Sequence, residues 1–538
     1  MHNGPQKSSS YSVPVAGIPL TQEEVLTIIS LKEMVDHVND LLNPVVIPHT
    51  EILLQLLEKV QPVDFREIVF PELADLLEDI AALEQQLTGS GGSFQDNPDT
   101  RERLKLLQKQ VDKRQLKLQH YLIICIEQIL ELARINQWGI CKQHEFIYLY
   151  NGAFWCFLEA DALKAFLGNS AERMGVQKYQ ARFYRFKEHL FKQFMETAYL
   201  PPPVRPDGIV LVNLKNGTFE VGATGTQLRS FQPEDFITYQ LPFSFDAMAK
   251  APLFRTYLDQ VLPDKERQYI LAEFLGYVFI SPSTLKLEKA LLLYGSGANG
   301  KSVFFEIVTA LLGQQNVSGY NLQSLTNENG YQRAKLANML VNYASEINGN
   351  MDTAIFKQLV SGEPVEARLP YGEPFMLTQY AKLIFNCNEL PRDVEHTNAY
   401  FRRFLIIPFD VTIPESQQDR GLASKIIQNE LSGVFNWVLE GLKRLLSQRK
   451  FSDSIAVYQQ LEQYKKESDS VLMFLEDERY KPSLQGVKPL KDVFSEYRIY
   501  CADSGYRSCS VKTFSERLRQ HGYTLERKRF GMAVLIEK

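Results

Sequence analysis

The octapeptide Gly295-Ser296-Gly297-Ala298-Asn299-Gly300-Lys301-Ser302 carries the strongest chemical signal in this chain. Two glycines, a lysine and a serine at this spacing form a phosphate-binding loop. Glycine lets a tight turn aim several backbone N–H groups at one anion. A helix that starts at the lysine adds the positive end of its dipole. Lys301 then reaches the β- and γ-phosphates of ATP, and Ser302 holds Mg²⁺. The flanks agree, with an apolar strand-like run from Ala290 to Tyr294 and helical apolar spacing from Val303 to Leu312, stopped by Gly313.

Hydrolysis needs more than a phosphate cradle. A carboxylate at the end of a neighbouring strand must position water and metal. Met339 to Glu346 (MLVNYASE) supplies an apolar strand that ends in Glu346, read as the hydrolytic and Mg²⁺-linked acid. KLIFNCNELP ends in Asn388, an amide suited to the γ-phosphate and the attacking water. Asn386 competes for that role; strand alternation and Pro391 favour Asn388. Arg402 and Arg403 precede the apolar strand LIIPF, and one of them is expected to act as an arginine finger toward a neighbouring subunit's ATP. Lys357 to Phe375 is rich in glycine and proline, so it reads as loop or hairpin rather than helix. Arg368, Tyr371 and the nearby Lys382 could face a nucleic-acid backbone.

These residues need a scaffold, and the totals allow one. The chain has 538 residues, 45% hydrophobic and 23% charged, enough for several globular domains. A net charge of −5 means that any DNA-binding surface must be local. Six cysteines without CxxC spacing suggest neither a zinc site nor a disulfide framework, and fit a reducing cytoplasm. The polar N-terminus does not read as a secretory signal, and no apolar run reaches the length of a membrane span.

Five regions are expected. Residues 1–20 read as a disordered tail. Residues 21–137 read as helical, with a flexible loop from Gly89 to Pro98 and a long charged helix, capped by Asp99 or Thr100, through Arg134. Residues 138–284 read as an α+β domain with hairpins turning at Asn151-Gly152 and Asn216-Gly217, then helices from Pro252 to Ile280. Residues 285–450 hold the phosphate loop. Their strand-like runs (Ala290 to Tyr294, Met339 to Ala344, Ala381 to Cys387, Phe404 to Pro408), separated by helical segments, imply an α/β fold with a parallel three-layer sheet. Gln417 to Leu446 reads as a helical lid. Residues 451–538 read as a winged helix, with helices Lys491 to Tyr500 and Ser510 to Gln520 and a hairpin turning at Gly531. From Val511 to Lys538 there are seven Lys/Arg and three Glu. Lys512, Arg517 and Arg519 on the helix, and Arg527, Lys528 and Arg529 on the wing, are the expected DNA contacts there.

Taken in order, GSGANGKS, LVNYASE, LVSGEPVEARLPYGEPF, KLIFNCNELP and FRRFLIIPFD resemble the superfamily 3 helicases, and more narrowly the phage, plasmid and poxvirus primase-helicase group. IYLYNGAFW, NLKNGTF, PEDFITYQLPF and LAEFLGYVF look like the domain that precedes the helicase core in that group, so the resemblance runs from about Phe146 to the end. It implies a modified AAA+ core, a homo-hexameric ring and ATP-driven 3′–5′ translocation on single-stranded and forked DNA. It also implies that a hairpin carrying Arg368, with Tyr371 and Lys382, projects into the ring channel. One departure stands out: Asp75, Glu78 and Asp79 sit on a helical pattern rather than at a strand end. No primer synthesis is therefore expected of this chain, and a primase or other replication protein would be a separate partner. The expected function is that of a replicative DNA helicase of a mobile element. The alternative is a nucleotide-switched origin-binding or assembly ATPase that never unwinds. A metabolic P-loop kinase would leave the paired arginines and the basic winged helix unexplained.

Overall fold

The structure, a computed structural model, describes residues 46–88, 98–143, 146–200, 208–222, 225–345, 347, 351–370, 372–391 and 395–538. The expected tail, most of the Gly89 to Pro98 loop, Glu346 and Tyr371 lie outside the described residues. All the described helices and strands belong to one unit, Pro48–Lys538.

A five-stranded sheet organises the middle of the chain: β1 Ala290–Tyr294, β2 Val317–Ser318, β3 Val341–Ala344, β4 Lys382–Cys387 and β5 Phe404–Pro408. The spatial order is β5-β1-β4-β3-β2, and every neighbouring pair is parallel. Period-two alternation divides its side chains between two cores. Leu291, Leu293, Val341, Tyr343, Ile384, Leu405 and Ile407 face one, with residues of helices Lys265–Tyr277, Lys301–Leu312 and Leu431–Gln448. Ala290, Leu292, Ala344, Leu383, Phe385, Phe404 and Ile406 face the other, with residues of helix Thr353–Ser361 and the short helix Asn398–Phe401. A parallel sheet covered on both faces explains why its strands are almost uninterrupted apolar runs. The α/β expectation is therefore met.

Helices Lys265–Tyr277 and Leu431–Gln448 pack backbone to backbone. A Cβ on Gly441 would fall 2.3 Å from the Ala272 carbonyl carbon, and one on Gly276 would fall 2.8 Å from Leu442 Cα. Glycine stands at both points because no side chain fits.

Ahead of the core run helices His49–Lys59, Phe65–Val69, Leu73–Thr88, Pro98–Lys113 and Leu118–Ile135. The single long helix expected up to Arg134 is in fact two. Pro98–Lys113 buries no residue, whereas Leu118–Ile135 buries Ile124, Cys125, Ile126, Ile129 and Ala133. The halves face different surroundings, and the chain goes extended at Lys117 between them. Next come a sheet of Gly139–Gln143, Phe146–Tyr150 and Trp155–Phe157, helices Ala160–Arg173, Lys178–Arg182 and Tyr184–Thr197, and a sheet of Val210–Leu214, Gly217–Gly222 and Gly225–Arg229. The first expected hairpin turns at Asn151–Phe154, where Asn151 Oδ1 accepts from the N–H groups of Ala153 and Phe154, both at 3.0 Å. The second turns at Lys215-Asn216, one residue earlier than expected, because Gly217 is already paired with Leu214.

Two further boundaries differ from expectation. Lys357 to Ser361 belongs to helix Thr353–Ser361 rather than to a loop: Asp352 caps it by accepting from the N–H groups of Ala354 and Ile355, and Gly362, at φ 67°, ends it. The hairpin comes next, as Val365–Arg368 paired with Pro374–Leu377. Helix Ile455–Glu467 does not join the C-terminal module; its Tyr464 is buried in the second core of the parallel sheet with Tyr400, Phe401 and Phe404. The module's own core starts at Val471. It contains helices Leu490–Asp503 and Val511–Gln520 and a sheet in which Gly531–Glu537 lies between Lys481–Pro489 and Leu525–Lys528. Arg529 and Phe530 form the hairpin turn, and Gly531 is already paired with Lys528.

Candidate functional site

The glycine-rich octapeptide leaves the C-terminal end of β1 and runs into helix Lys301–Leu312. Its backbone takes positive φ at Gly297 (111°), Ala298 (50°) and Gly300 (87°), the conformations that turn successive N–H groups inward. The surroundings fix this shape. Tyr257 donates its hydroxyl to Gly300 O at 2.8 Å, Asn299 Nδ2 donates to Phe409 O at 3.1 Å, and Ile413 N donates to Ala298 O at 2.8 Å. A Cβ on Gly295 would meet Asn299 Nδ2 at 2.3 Å and Phe409 O at 2.6 Å. The loop is therefore clamped by the segment that comes after β5.

Lys301 is 6% exposed, and its Nζ donates to Gly295 O at 2.6 Å and Asn299 Oδ1 at 3.1 Å. Among the described residues it has no carboxylate partner. Burial lowers its pKa, and Cys387 nearby acts weakly the other way. A cation held by two neutral oxygens at the mouth of an amide-lined turn attracts an anion.

Gly297 through Ser302 line a cavity of about 570 Å³. Ser345, at the end of β3, and Asn386 and Asn388, at the end of β4, line it as well. The two asparagines differ. Asn386 Oδ1 accepts from Tyr343 Oη at 3.0 Å, which fixes its amide, whereas Asn388 is exposed. Sequence reasoning missed the rest of the wall. Leu253, Thr256, Tyr257 and Gln260 come from helix Pro252–Val261, ahead of the sheet, and Gln417, Gln418, Asp419 and Arg420 come from the loop after β5. Arg420 is exposed and forms no ion pair among the described residues. No local spacing marks these positions; the fold alone brings them to the loop.

The two arginines before β5 separate cleanly. Arg403 is 8% exposed, donates to Ser361 Oγ at 3.0 Å and to Ala399 O, and lies 3.8 Å from Glu288. It belongs to the interior of its own chain, so of the pair only Arg402 can meet another molecule. Arg402 is exposed, with a guanidinium nitrogen 3.1 Å from Glu288 Oε2. β5 and β1 run in register from Phe404 opposite Ala290 to Pro408 opposite Tyr294. At ~3.3 Å per residue, Arg402 stands roughly 20 Å from the phosphate loop of its own chain, beyond a side chain's reach.

The hairpin keeps one of its three expected DNA contacts in view. Arg368 is exposed near the turn, where its Nε donates to Gly372 O at 2.8 Å. Tyr371 lies outside the described residues. Lys382 is half-buried: it starts β4, its ammonium sits 4.3 Å from the Tyr277 ring centre, and desolvation lowers its pKa to about 8. Arg333 anchors the hairpin base by donating to Glu366 O at 2.7 Å.

In the C-terminal module Lys512, Arg519, Arg527, Lys528 and Arg529 are exposed, and Lys528 pairs with Glu526 at 2.7 Å. Arg517 is turned inward instead, with Nη1 3.3 Å from Asp469 Oδ1, while His521 Nε2 lies 2.8 Å from Asp469 Oδ2. Burial alone would raise the Asp469 pKa; the His521 hydrogen bond and the Arg517 charge outweigh it and hold the carboxyl at about 2. His396, on the sheet side, lies 4.0 Å from the same carboxylate.

Strand, clamped glycine loop and buried lysine define a P-loop-type α/β protein. Three family profiles match: D5 N terminal like over residues 111–263, a family of unknown function (DUF5906) over residues 293–403, and Poxvirus D5 protein-like over residues 466–535. A protein of Acanthamoeba polyphaga mimivirus named "Putative helicase L207/L206" is 27% identical over 244 residues, which is 42% of this chain and 24% of the relative. The chain thus spans about a quarter of the curated relative it matches. Among solved structures, the A form apo structure of the NrS-1 C-terminal region aligns with 75% of this chain and 97% of its own at 12% identity and a TM-score of 0.43. Another apo structure of that region aligns with 76% and 98% at 12% identity and a TM-score of 0.40. Over these segments the chain is similar to the D5-like superfamily 3 primase-helicases. Among the described residues, no helix is long and apolar enough to cross a membrane.

Proposed function

We propose that this chain is the ATP-driven motor of a replicative DNA helicase that works as a hexameric ring. The observation that carries the proposal is the single cavity shared by the clamped loop around Lys301, the strand ends at Ser345 and Asn388, and Arg420. Strand β1, bearing the loop, lies between the asparagine strand and the arginine strand, which supports the modified AAA+ reading.

In this reading the loop amides and Lys301 hold the β- and γ-phosphates. Ser302 lines the cavity with a hydroxyl that has no protein partner among the described residues, so it fits the role of a Mg²⁺ ligand, and the ion would neutralise phosphate charge. Glu346, the residue directly after Ser345, would orient the attacking water. Asn388 would sense the γ-phosphate, and the tethered amide of Asn386 would keep that end of β4 in place. Tyr257 and its helix would cover the nucleoside. Arg402 would leave Glu288 to contact the ATP of a neighbouring copy, so each site would be completed by assembly. Arg368 on the hairpin would contact the translocated strand, and residues 470–538 would act as a winged helix with Arg519, Arg527, Lys528 and Arg529 toward duplex phosphates.

The test is strand displacement on a forked DNA substrate with ATP and Mg²⁺, run beside ATP turnover and a mass measurement of the assembly. Displacement that needs ATP and disappears in Lys301→Ala is the expected result. Turnover without displacement would instead establish the nucleotide-switched assembly protein, and failure to turn over ATP would end the motor reading.

A further inference from the structure

We propose that the exposed elbow between helices Lys178–Arg182 and Tyr184–Thr197 is a second binding surface for single-stranded nucleic acid, outside the motor. Tyr179 is 76%, Phe183 50% and Tyr184 60% exposed, three large rings within six residues. The fold makes no use of them. Helix Tyr184–Thr197 buries a stripe of Phe186, Leu190 and Phe194, and the three rings lie outside it. Phe183 and Tyr184 stand at 66° to one another with centroids 5.0 Å apart, so they present differently oriented faces.

Cations are threaded between the rings. Residues 173–192 contain six Lys/Arg and one Glu, in a chain whose net charge is −5. Arg173 and Arg182 are occupied, the first by Leu57 O at 2.7 Å and the second by Glu172 at 2.7 Å. Lys178, Arg185 and Lys192 are exposed and form no close ion pair among the described residues, though Lys178 acts on Glu172 and Lys192 on Glu188 from a distance. The Arg185 guanidinium is held by Tyr184: its Nε donates to Tyr184 Oη at 3.0 Å, and its Cζ lies 5.8 Å from the ring centre. A preassembled ring-and-guanidinium platform beside exposed lysines suits a flexible strand, whose bases stack on exposed ring faces while its phosphates meet the cations. A duplex hides its base faces, and a protein partner would favour a continuous apolar patch over rings separated by charges.

The surface is tested on the full chain without nucleotide, so the answer does not depend on whether the motor turns over. Fluorescence anisotropy with labelled 20-nucleotide oligo(dT) and oligo(rU) across a KCl series gives affinity and salt slope. Tyr179→Ala/Phe183→Ala/Tyr184→Ala is expected to weaken binding of at least one strand about tenfold or more, with its salt slope preserved. Lys178→Glu/Arg185→Glu is expected to lower the slope by at least about 1.4, the share of two phosphate contacts on a single strand. Tyr179→Ala alone replaces the triple variant if circular dichroism shows that variant unfolded. Binding within about twofold of the parent for both oligonucleotides overturns the proposal. So does a loss of binding that tracks a change in assembly mass, which would make the elbow a contact between protein chains.

Discussion

Replacing Arg402 and Arg403 by alanine, one at a time, should separate catalysis from folding. Arg402→Ala removes an exposed ion pair with Glu288 at 3.1 Å, worth about 0–1 kcal/mol, so the fold should hardly notice. If Arg402 completes a neighbour's ATP site, turnover should fall by roughly 10³–10⁵, which is about 4–7 kcal/mol in the barrier, with nucleotide affinity little changed. Arg403→Ala does the opposite. It strips a donor from the buried Ser361 Oγ and from the part-buried Ala399 O, and removes one of three cations beside Glu288, leaving Lys286 and Arg402. At about 1–3 kcal/mol for the one buried partner left unsatisfied, the loss is about 2 kcal/mol, or roughly 4–8 °C in melting temperature for a large domain. The assays are thermal melting, equilibrium binding of a fluorescent ATP analogue, and steady-state turnover. Mixing Arg402→Ala with Lys301→Ala chains should recover part of the turnover, since some interfaces then combine an intact loop with an intact arginine. Parental turnover in Arg402→Ala would refute the shared-site reasoning. An unshifted melting curve for Arg403→Ala would refute the structural role given to its interior bonds.

Arg420→Ala should weaken ATP binding about tenfold, the cost of one charge-assisted contact, without altering the melting curve; unchanged affinity would remove Arg420 from the site. Gly441→Ala should destabilise by about 3 kcal/mol, because its Cβ would fall 2.3 Å from backbone, and a parental melting temperature would show that the helices can part freely. Acid should destabilise the fold through His49 and His396. Burial lowers both pKa values, so below about pH 6.5 the unfolded chain binds more protons at these positions than the folded one. Urea midpoints should therefore be lower at pH 5.5 than at pH 7.5, with a shallower dependence in His396→Gln; a flat profile would contradict this assignment. Asp469 works in the opposite window: its depressed pKa of about 2 keeps its contribution intact above about pH 4.

The sheet was legible because a doubly covered parallel strand is a short apolar run with turn residues at its ends, and Ala290–Tyr294 and Phe404–Pro408 show that pattern in isolation. Val317–Ser318 was not, because two residues carry no periodicity. The phosphate loop was legible because its shape depends on glycine placement, which the sequence displays directly. Lys382 and Arg517 were misplaced for one reason: a cation's number in the chain does not say whether it meets solvent, a Tyr277 ring or a buried Asp469. Helix Thr353–Ser361 had readable signals, an Asp cap and a closing glycine, but the prolines downstream masked them. Arg420 and Tyr257 reach the cavity only through tertiary folding, from segments more than 150 residues apart.

The edge strand Phe404–Pro408 joins two features that sequence alone would keep separate. Arg402 guards its upstream end, and immediately downstream Phe409 O and Ile413 N grip the glycine loop, while Arg267 fastens Pro408 O and Asp410. Such a ribbon behaves as a stiff pushrod. If the proposed ring forms, tension that another copy applied at one tip would arrive at the cradle on the other, and firing order would pass from chain to chain without any linker built for the purpose.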